Sequence, residues 1–373
     1  MKRILIANIF GIGDVLFSTA LVPNIKKAYP EASVDFICNA RVRQALKCVP
    51  GIDRIYVYEK DRLDELWKTS RKRWFEEVRD IVVPVFTGGY DAVFDFTLSR
   101  KSGLLFLLSG IKYRIGLNYR NRGMFLNRKK PLDGFSGRHV VEYYLELLSF
   151  LDIPVRTRKI RLVPDGTEVK LTRKLLRENG CASPVAAVVP GGGASWGAQA
   201  SRKRWHPKGF SISADMLSEK GVSTVIAGDL SEESLCREVA GRMKHPPALI
   251  LNDLSLSRYI ALLSVCDVVL CNDGGPLHIA AAAGSSTVSV FGPVDENVYG
   301  PYPPSRKHRV ITASGCGCRP CYEKFKLPDC VFNNRCVTNI DPADAAKACM
   351  DLLGGKAPRD GKKKEKTTGR HGG

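Results

Sequence analysis

Four consecutive apolar residues, Val268-Val-Leu-Cys271, lead almost directly into Asp273-Gly-Gly-Pro-Leu-His278. A run of small residues, His278-Ile-Ala-Ala-Ala-Ala-Gly284, comes next, and then a second apolar run, Thr287 to Phe291, that ends in Gly292-Pro293. Apolar runs this short and unbroken suit strands buried on both faces, as in parallel sheets. Parallel neighbours need a crossover, and the small-residue stretch between them supplies a helix. The N–H groups at such a helix start are unpaired and carry partial positive charge, so an anion fits there. Asp273 is placed to cap this helix, and Pro276 falls in its first turn. The plainer reading is an ordinary helix start in an α/β sheet.

The same alternation fills the rest of the chain, twice over. Strands are expected over Arg3 to Ile9, Ser33 to Cys38, Arg54 to Tyr58, Tyr90 to Phe96 and Tyr113 to Gly116, with helices between them. One helix, Val15 to Tyr29, should be kinked or split by Pro23. Asp61 to Val83 reads as one long charged helical segment, and Asn118 to Lys130 as a basic loop before a helix from Arg138 to Leu151. Ile153 to Asp165 carries Pro154, Pro164 and several cations and reads as a linker. Strands then recur at Val185 to Val189, Ser223 to Ala227, Ala248 to Leu251 and the two runs of the opening stretch, and a helix from Asp341 to Leu353 closes the series. The pattern predicts two doubly wound α/β domains facing a central cleft, residues 1–158 and 159–353, with ligands at the carboxyl ends of the strands. The charged tail 354–373 is expected to be disordered.

Charge narrows the partners. The 373 residues hold 57 Lys+Arg against 38 Asp+Glu, a net charge of +19. The excess is only partly in the tail, so the folded part is basic and suits nucleic acid, an anionic membrane or an anionic substrate. The basic and apolar start Met1 to Phe10 imitates a signal peptide, but Gly11-Ile-Gly-Asp14 interrupts it and no cleavage pattern follows. Gly103 to Ile111 is far shorter than the roughly 20 residues of a membrane span. A cytoplasmic location is therefore expected, with most of the twelve cysteines as free thiols.

Five groups of residues are candidates for chemistry. Gly11-Ile-Gly13-Asp14 follows the first strand, where its glycines admit a ligand and Asp14 can take a proton from a hydroxyl; a helix cap is the plainer role. It is not a G-x-G-x-x-G fingerprint, because Leu16 stands at the third glycine and Asn39, not an acid, follows the second strand. Pro190-Gly-Gly-Gly-Ala-Ser195 with Lys203 and Arg204 suits a pyrophosphate, yet lacks the Gly-Lys-Ser/Thr ending of a nucleotide-hydrolysing loop; a solvated loop is the alternative. His278 can bond a ligand oxygen or simply pack. Cys316, Cys318, Cys321, Cys330 and Cys336 fall within 21 residues and could hold structural zinc or be redox-labile thiols, although their spacing is not that of a paired C-x-x-C ribbon. Arg100, Lys101, Arg114, Arg120, Arg122 and Arg128, with Trp67 and Trp74, form a basic set for an acidic acceptor or a membrane surface, or a solvated face.

In order along the chain, Gly13-Asp14-Val15 with Pro23 and Tyr29-Pro30, Lys101-Ser102, Arg138-His139 and Lys203-x-Trp205 lead to Asp273-x-Gly-x-x-His278 and Val290-Phe-Gly-Pro293. The late cysteines and Ile340-x-Pro342 complete the series. This series resembles the bacterial lipopolysaccharide heptosyltransferases, glycosyltransferase family 9, over Arg3 to about Leu353. The resemblance implies a GT-B fold, with two Rossmann-like domains, acceptor on the first and nucleotide sugar on the second. It implies inverting transfer of a heptose from ADP-heptose to the acidic lipopolysaccharide inner core, with no required cofactor or metal. Asp14 would be the general base. Lys203, Asp273, Gly274, Gly275 and His278 would hold the donor, with Glu232 or Glu233 on its ribose. Gly13, Lys101 and Arg120 would face the acceptor. The enzyme would work in the cytoplasm, peripherally at the inner membrane, and nucleic acid is not an expected partner. Rival readings are a transferase with another sugar or acceptor, and a non-catalytic nucleotide-binding protein. Gly274 departs from the family pattern, which has Ser or Thr there.

Overall fold

The computed structural model describes residues 1–354, so the charged tail expected after Gly354 lies outside the described residues. The first six strands are β1 (Arg3–Ala7), β2 (Ser33–Cys38), β3 (Arg54–Val57), β4 (Ala92–Asp95), β5 (Tyr113–Tyr119) and β6 (Arg128–Leu132). They form one sheet in the order β3-β2-β1-β4-β5-β6. The next six are β7 (Val185–Val189), β8 (Ser223–Ala227), β9 (Leu249–Leu251), β10 (Val268–Asn272), β11 (Ser286–Phe291) and β12 (His308–Thr312). They form a second sheet in the order β12-β11-β10-β7-β8-β9. All pairings are parallel. Each sheet thus has the Rossmann order, with its switch point between β1 and β4 or between β7 and β10. The central strands β7, β10 and β11 are buried at every residue, as strands covered on both faces are, and the few polar residues among them are the small or amide side chains of Asn272, Ser286, Thr287 and Ser289.

Several elements differ from what the local sequence pattern suggests. β6 begins at the end of the stretch expected to be a basic loop, Asn118 to Lys130, and runs two residues past it. Its Arg-Lys-Lys-Pro sequence has poor strand propensity, but at a sheet edge the cations face water and proline needs no partner on that side. β12, another edge strand, was not foreseen. The first helical segment divides into Ile12–Ser18 and Leu21–Ala28, and the break precedes Pro23. Pro23 occupies the first turn of the second helix, where a missing N–H costs nothing. The long charged segment is a hairpin of Lys60–Thr69 and Arg71–Thr87, parted by extended Ser70 and closed by an edge contact of Trp67 with Trp74. The last helix of the first half, Val140–Leu145, ends sooner than expected and continues as a 3-10 turn.

The segment 153–165 has neither helix nor strand and ties the halves together through backbone bonds, Leu162 N–H to Ala282 O (2.9 Å) and Val163 N–H to Cys48 O (2.7 Å). Asn24 holds the same segment, accepting from Arg156 and Thr157 and donating to Thr157 O. One apolar core runs from Ile4 through Phe17 and Leu277 to Tyr302. Among the described residues no helix is long and apolar enough to cross a membrane.

Candidate active site

A cavity of about 330 Å³ opens where the carboxyl edges of the two sheets meet. From the first sheet it is lined by Gly11 to Asp14 after β1 and by Asn39 after β2; from the second, by Gly192 and Gly193 after β7, Glu232 after β8, and Asp273 to Pro276 after β10. Both switch points therefore supply its walls. Asp14, Gly13, Lys203, Glu232, Asp273, Gly274, Gly275 and His278, chosen from sequence, all line it. Lys101 and Arg120 do not: Lys101 is exposed on the Arg100–Leu108 helix, and Arg120 lies 5.1 Å from the Tyr119 ring.

Asp14 stands in the first turn of the Ile12–Ser18 helix, at the cavity wall. Burial lifts its carboxyl to about 6; Lys203 opposes that rise, Asp273 adds to it, and the amides of Gly11 and Asp14 pull it down. A carboxylate that titrates near neutrality can take up a proton during turnover. Two groups that act on it, Lys203 and Asp273, belong to the other sheet.

Lys203 Nζ lies 2.5 Å from Asp273 Oδ2 and 4.4 Å from the centre of the Trp196 ring. Both partners are buried, so each neutralises the other out of water. Asp273 thus pairs with Lys203 and does not cap the helix, as the sequence had suggested. The Gly275–Ala283 helix starts without a side-chain cap, with Pro276 in its first turn as expected. Gly274 has φ 156° and ψ −166°, a region nearly confined to glycine, and a Cβ there would lie 3.3 Å from Gly193 N. The departure from Ser or Thr is thus matched by the backbone. Gly274→Ser is expected to lower stability by about 1–3 kcal/mol and to weaken ADP binding. Thermal unfolding and calorimetry check this; tighter binding at an unchanged midpoint would contradict it.

His278 is buried, its imidazole pushed down to about 3 by burial and then by His139 and Lys203, so it is neutral at neutral pH. A Cβ on Gly13 would come within 2.6 Å of its ring, so glycine is what lets the first half close on this histidine. Phe17 packs edge-on between His278 and His139. His139 accepts from Val141 N–H at Nδ1, so its Nε2–H donates to Gly300 O (3.1 Å), a second link between the halves.

Glu232 accepts from Gly192 N–H (2.6 Å) and Arg204 (2.9 Å), and Arg204 also donates to Gly192 O. The carboxylate thereby shapes the glycine loop, and Gly191 admits it because a Cβ there would collide with it.

Several residues of the site escaped the sequence reading. Asn272, at the end of β10, donates to Pro190 O and Gly191 O and accepts from Trp205 N–H, which fixes the loop that carries Lys203. A polar residue ending an apolar strand was the available signal. Trp196, Tyr299 and Tyr322 form an aromatic wall. Tyr322 comes from the cysteine segment, where Arg319 bonds Gly292 O (3.0 Å) and Glu296 (2.7 Å). The N–H groups of Cys321 and Tyr322 both donate to Pro293 O.

All twelve cysteines are free thiols. Cys316 and Cys318 lie 3.5 Å apart, but among the described residues no three His, Cys, Asp or Glu side chains are arranged to hold a metal ion. The five thiols sit at different depths: Cys336 is buried in the second core while Cys318 is exposed. The arrangement does not support the zinc reading.

The profile of glycosyltransferase family 9 (heptosyltransferase) matches residues 85–331. The chain is 22% identical over 303 residues to the lipopolysaccharide core heptosyltransferase OpsX of Haemophilus influenzae, covering 78% of this chain and 79% of the relative. The family 9 glycosyltransferase from Veillonella parvula superposes with a TM-score of 0.77 at 18% identity, over 95% of this chain and 98% of that one. Escherichia coli heptosyltransferase WaaC with ADP-2-deoxy-2-fluoro heptose superposes with a TM-score of 0.65 at 19% identity, over 84% and 94%. Fold and cleft together define a glycosyltransferase of GT-B architecture. Within that class, the chain belongs to glycosyltransferase family 9, the heptosyltransferases.

Proposed function

We propose that this enzyme moves a heptose, with inversion, from ADP-heptose to the acidic inner core of a lipopolysaccharide precursor, Kdo-lipid A or its heptosylated form. The reading rests on one observation above all: Asp14 of one sheet shares a cavity with Lys203 and Asp273 of the other, and their charges act on it. The acceptor hydroxyl attacks the anomeric carbon as the bond to ADP breaks, and its proton passes to Asp14. Lys203 and the uncapped N–H groups after Gly274 stabilise the charge that grows on the diphosphate. Glu232 is proposed for the ribose and His278 for a ligand oxygen. Gly13 lines the acceptor side, with Lys101 and Arg120 on the cationic surface that an acidic, lipid-borne acceptor approaches. WaaC's complex with a fluorinated ADP-heptose supports the choice of donor. Reaction takes place at the cytoplasmic face of the inner membrane.

Incubation of the purified chain with ADP-heptose and Kdo-bearing lipid A tests this. A mass gain of one heptose is expected. Transfer only from a different nucleotide sugar would reassign the donor, to which the Gly274 departure already draws notice.

A further inference from the structure

Among the described residues, three buried side-chain polar atoms have no hydrogen-bond partner: Asn39 Oδ1, Trp205 Nε1 and Asp273 Oδ2. Asp273 is answered by the charge of Lys203, and Trp205 does not line the cavity. Asn39 does line it, one residue past the carboxyl end of β2, and is only 6% exposed. Its amide nitrogen is fully used, for Nδ2 donates to Ile9 O (3.2 Å) and to Phe10 O. Both carbonyls belong to the turn after β1, and neither residue is part of the cavity wall. These bonds fix which end of the amide is oxygen and leave Oδ1 as the end that meets the cavity. An acceptor buried without a donor carries its whole desolvation cost, and a ligand that brings a donor removes that cost.

The way the sheets face each other says which part of a nucleotide sugar lies there. Asp14, after β1, shares its end of the cavity with Lys203 and Asp273. Further out, the Arg43–Lys47 helix after β2 meets the Leu256–Val265 helix after β9, Gln44 Oε1 accepting from Ser257 N–H (3.1 Å). The end of β2 therefore lies opposite the strands between, β7 and β8, which carry Gly192 and Glu232 to the cavity. Glu232 is the residue proposed for the ribose. In dinucleotide-binding sheets of this strand order, an acid ending β2 takes a ribose hydroxyl. Asn39 holds that place with an uncharged oxygen, which suits a cavity that already contains three carboxylates and must receive a diphosphate. We infer that Asn39 Oδ1 accepts a hydrogen bond from a ribose hydroxyl of the donor nucleotide. Its Nδ2 holds the turn that leads to Asp14, so one side chain both reads the donor and steadies the base. The inference rests on the donor reading above and adds to it a specificity residue from the opposite sheet.

Calorimetric titration of the full chain with ADP, 2′-deoxy-ADP and 3′-deoxy-ADP tests it. The wild type should bind one of the deoxy nucleotides about tenfold more weakly than ADP, because Oδ1 is then buried unpaired. In Asn39→Ala that analogue should bind within about twofold of ADP. Asn39→Asp keeps the oxygen and the shape, and should keep a preference for ADP of at least about threefold. Asp has no N–H for Ile9 O and Phe10 O, so a residue that served the turn alone would make Asp and Ala behave alike. The wild-type preference is read without any variant, so the test holds even where Asn39→Ala fails to fold. Equal binding of all three nucleotides by the wild type, a deoxy penalty unchanged in Asn39→Ala, or the same loss of preference in both variants overturns the inference and leaves the donor reading standing. So does a defect of Asn39→Ala that is seen with ADP-heptose and not with ADP. A chain that binds no ADP overturns both.

Discussion

Asp14→Asn is expected to lower kcat/KM by about 10²–10⁴ while leaving the affinity for ADP within about twofold. Asn has nearly the same shape but cannot accept a proton, and the diphosphate contacts proposed here lie on the other sheet. The same change should alter stability in the opposite sense. The Asp14 carboxyl rises from its ordinary 3.8 to about 6 on folding. Its contribution to stability is therefore intact below pH 3.8 and is lost as pH rises through about 6. Asn is spared this loss, so the variant should be more stable than the wild type by about 1–3 kcal/mol at neutral pH, with the gap closing in acid. Thermal unfolding across pH measures it. A variant that is inactive and less stable at every pH would point to a structural role for Asp14.

Lys203→Ala should have two separable effects. It removes a cation from the growing charge on the leaving diphosphate, which lowers kcat by about 10²–10³. It also leaves the buried Asp273 carboxylate without its partner at 2.5 Å, which destabilises by about 3–5 kcal/mol. Adding Asp273→Asn should restore most of the stability and none of the turnover. Lys203 is also the foremost of the groups that hold Asp14 down, so in Lys203→Ala the base should titrate above 6. A single variant with an unchanged unfolding midpoint, or a double variant with recovered activity, would sever the pairing from catalysis.

Much of this architecture is legible in the sequence because its signals are local. Runs such as Val185–Val189 and Val268–Cys271 are apolar at every position, as strands covered on both faces must be. Asp14, Lys203, Asp273 and His278 each follow a strand, and in a doubly wound sheet that position faces the ligand. What escaped depends on contacts far apart in the chain. Tyr322 reaches Trp196 across more than a hundred residues, and no local pattern announces that wall. β6 was missed because an edge strand made of cations has the composition of a loop. Lys101 and Arg120 were chosen for their charge and their place in a family pattern, neither of which says which way a helix turns its side chains. The cysteines were close in sequence yet are spread over different depths. Asp273 was read as a helix cap, the usual role for an acid at that position. The buried ammonium of Lys203, seventy residues earlier in the chain, claimed it instead.

The central claim is that a carboxylate held at the wall of a two-sheet cleft is the base for transfer. The pH dependence of kcat/KM, with ADP-heptose and Kdo-bearing lipid A, tests it most directly. The wild type should lose activity about tenfold per pH unit below about 6 and level off above it, the limb set by Asp14. The residual rate of Asp14→Asn should lack that limb. A wild-type limb at the ordinary carboxylate value, or one that persists unchanged in Asp14→Asn, would contradict the assignment.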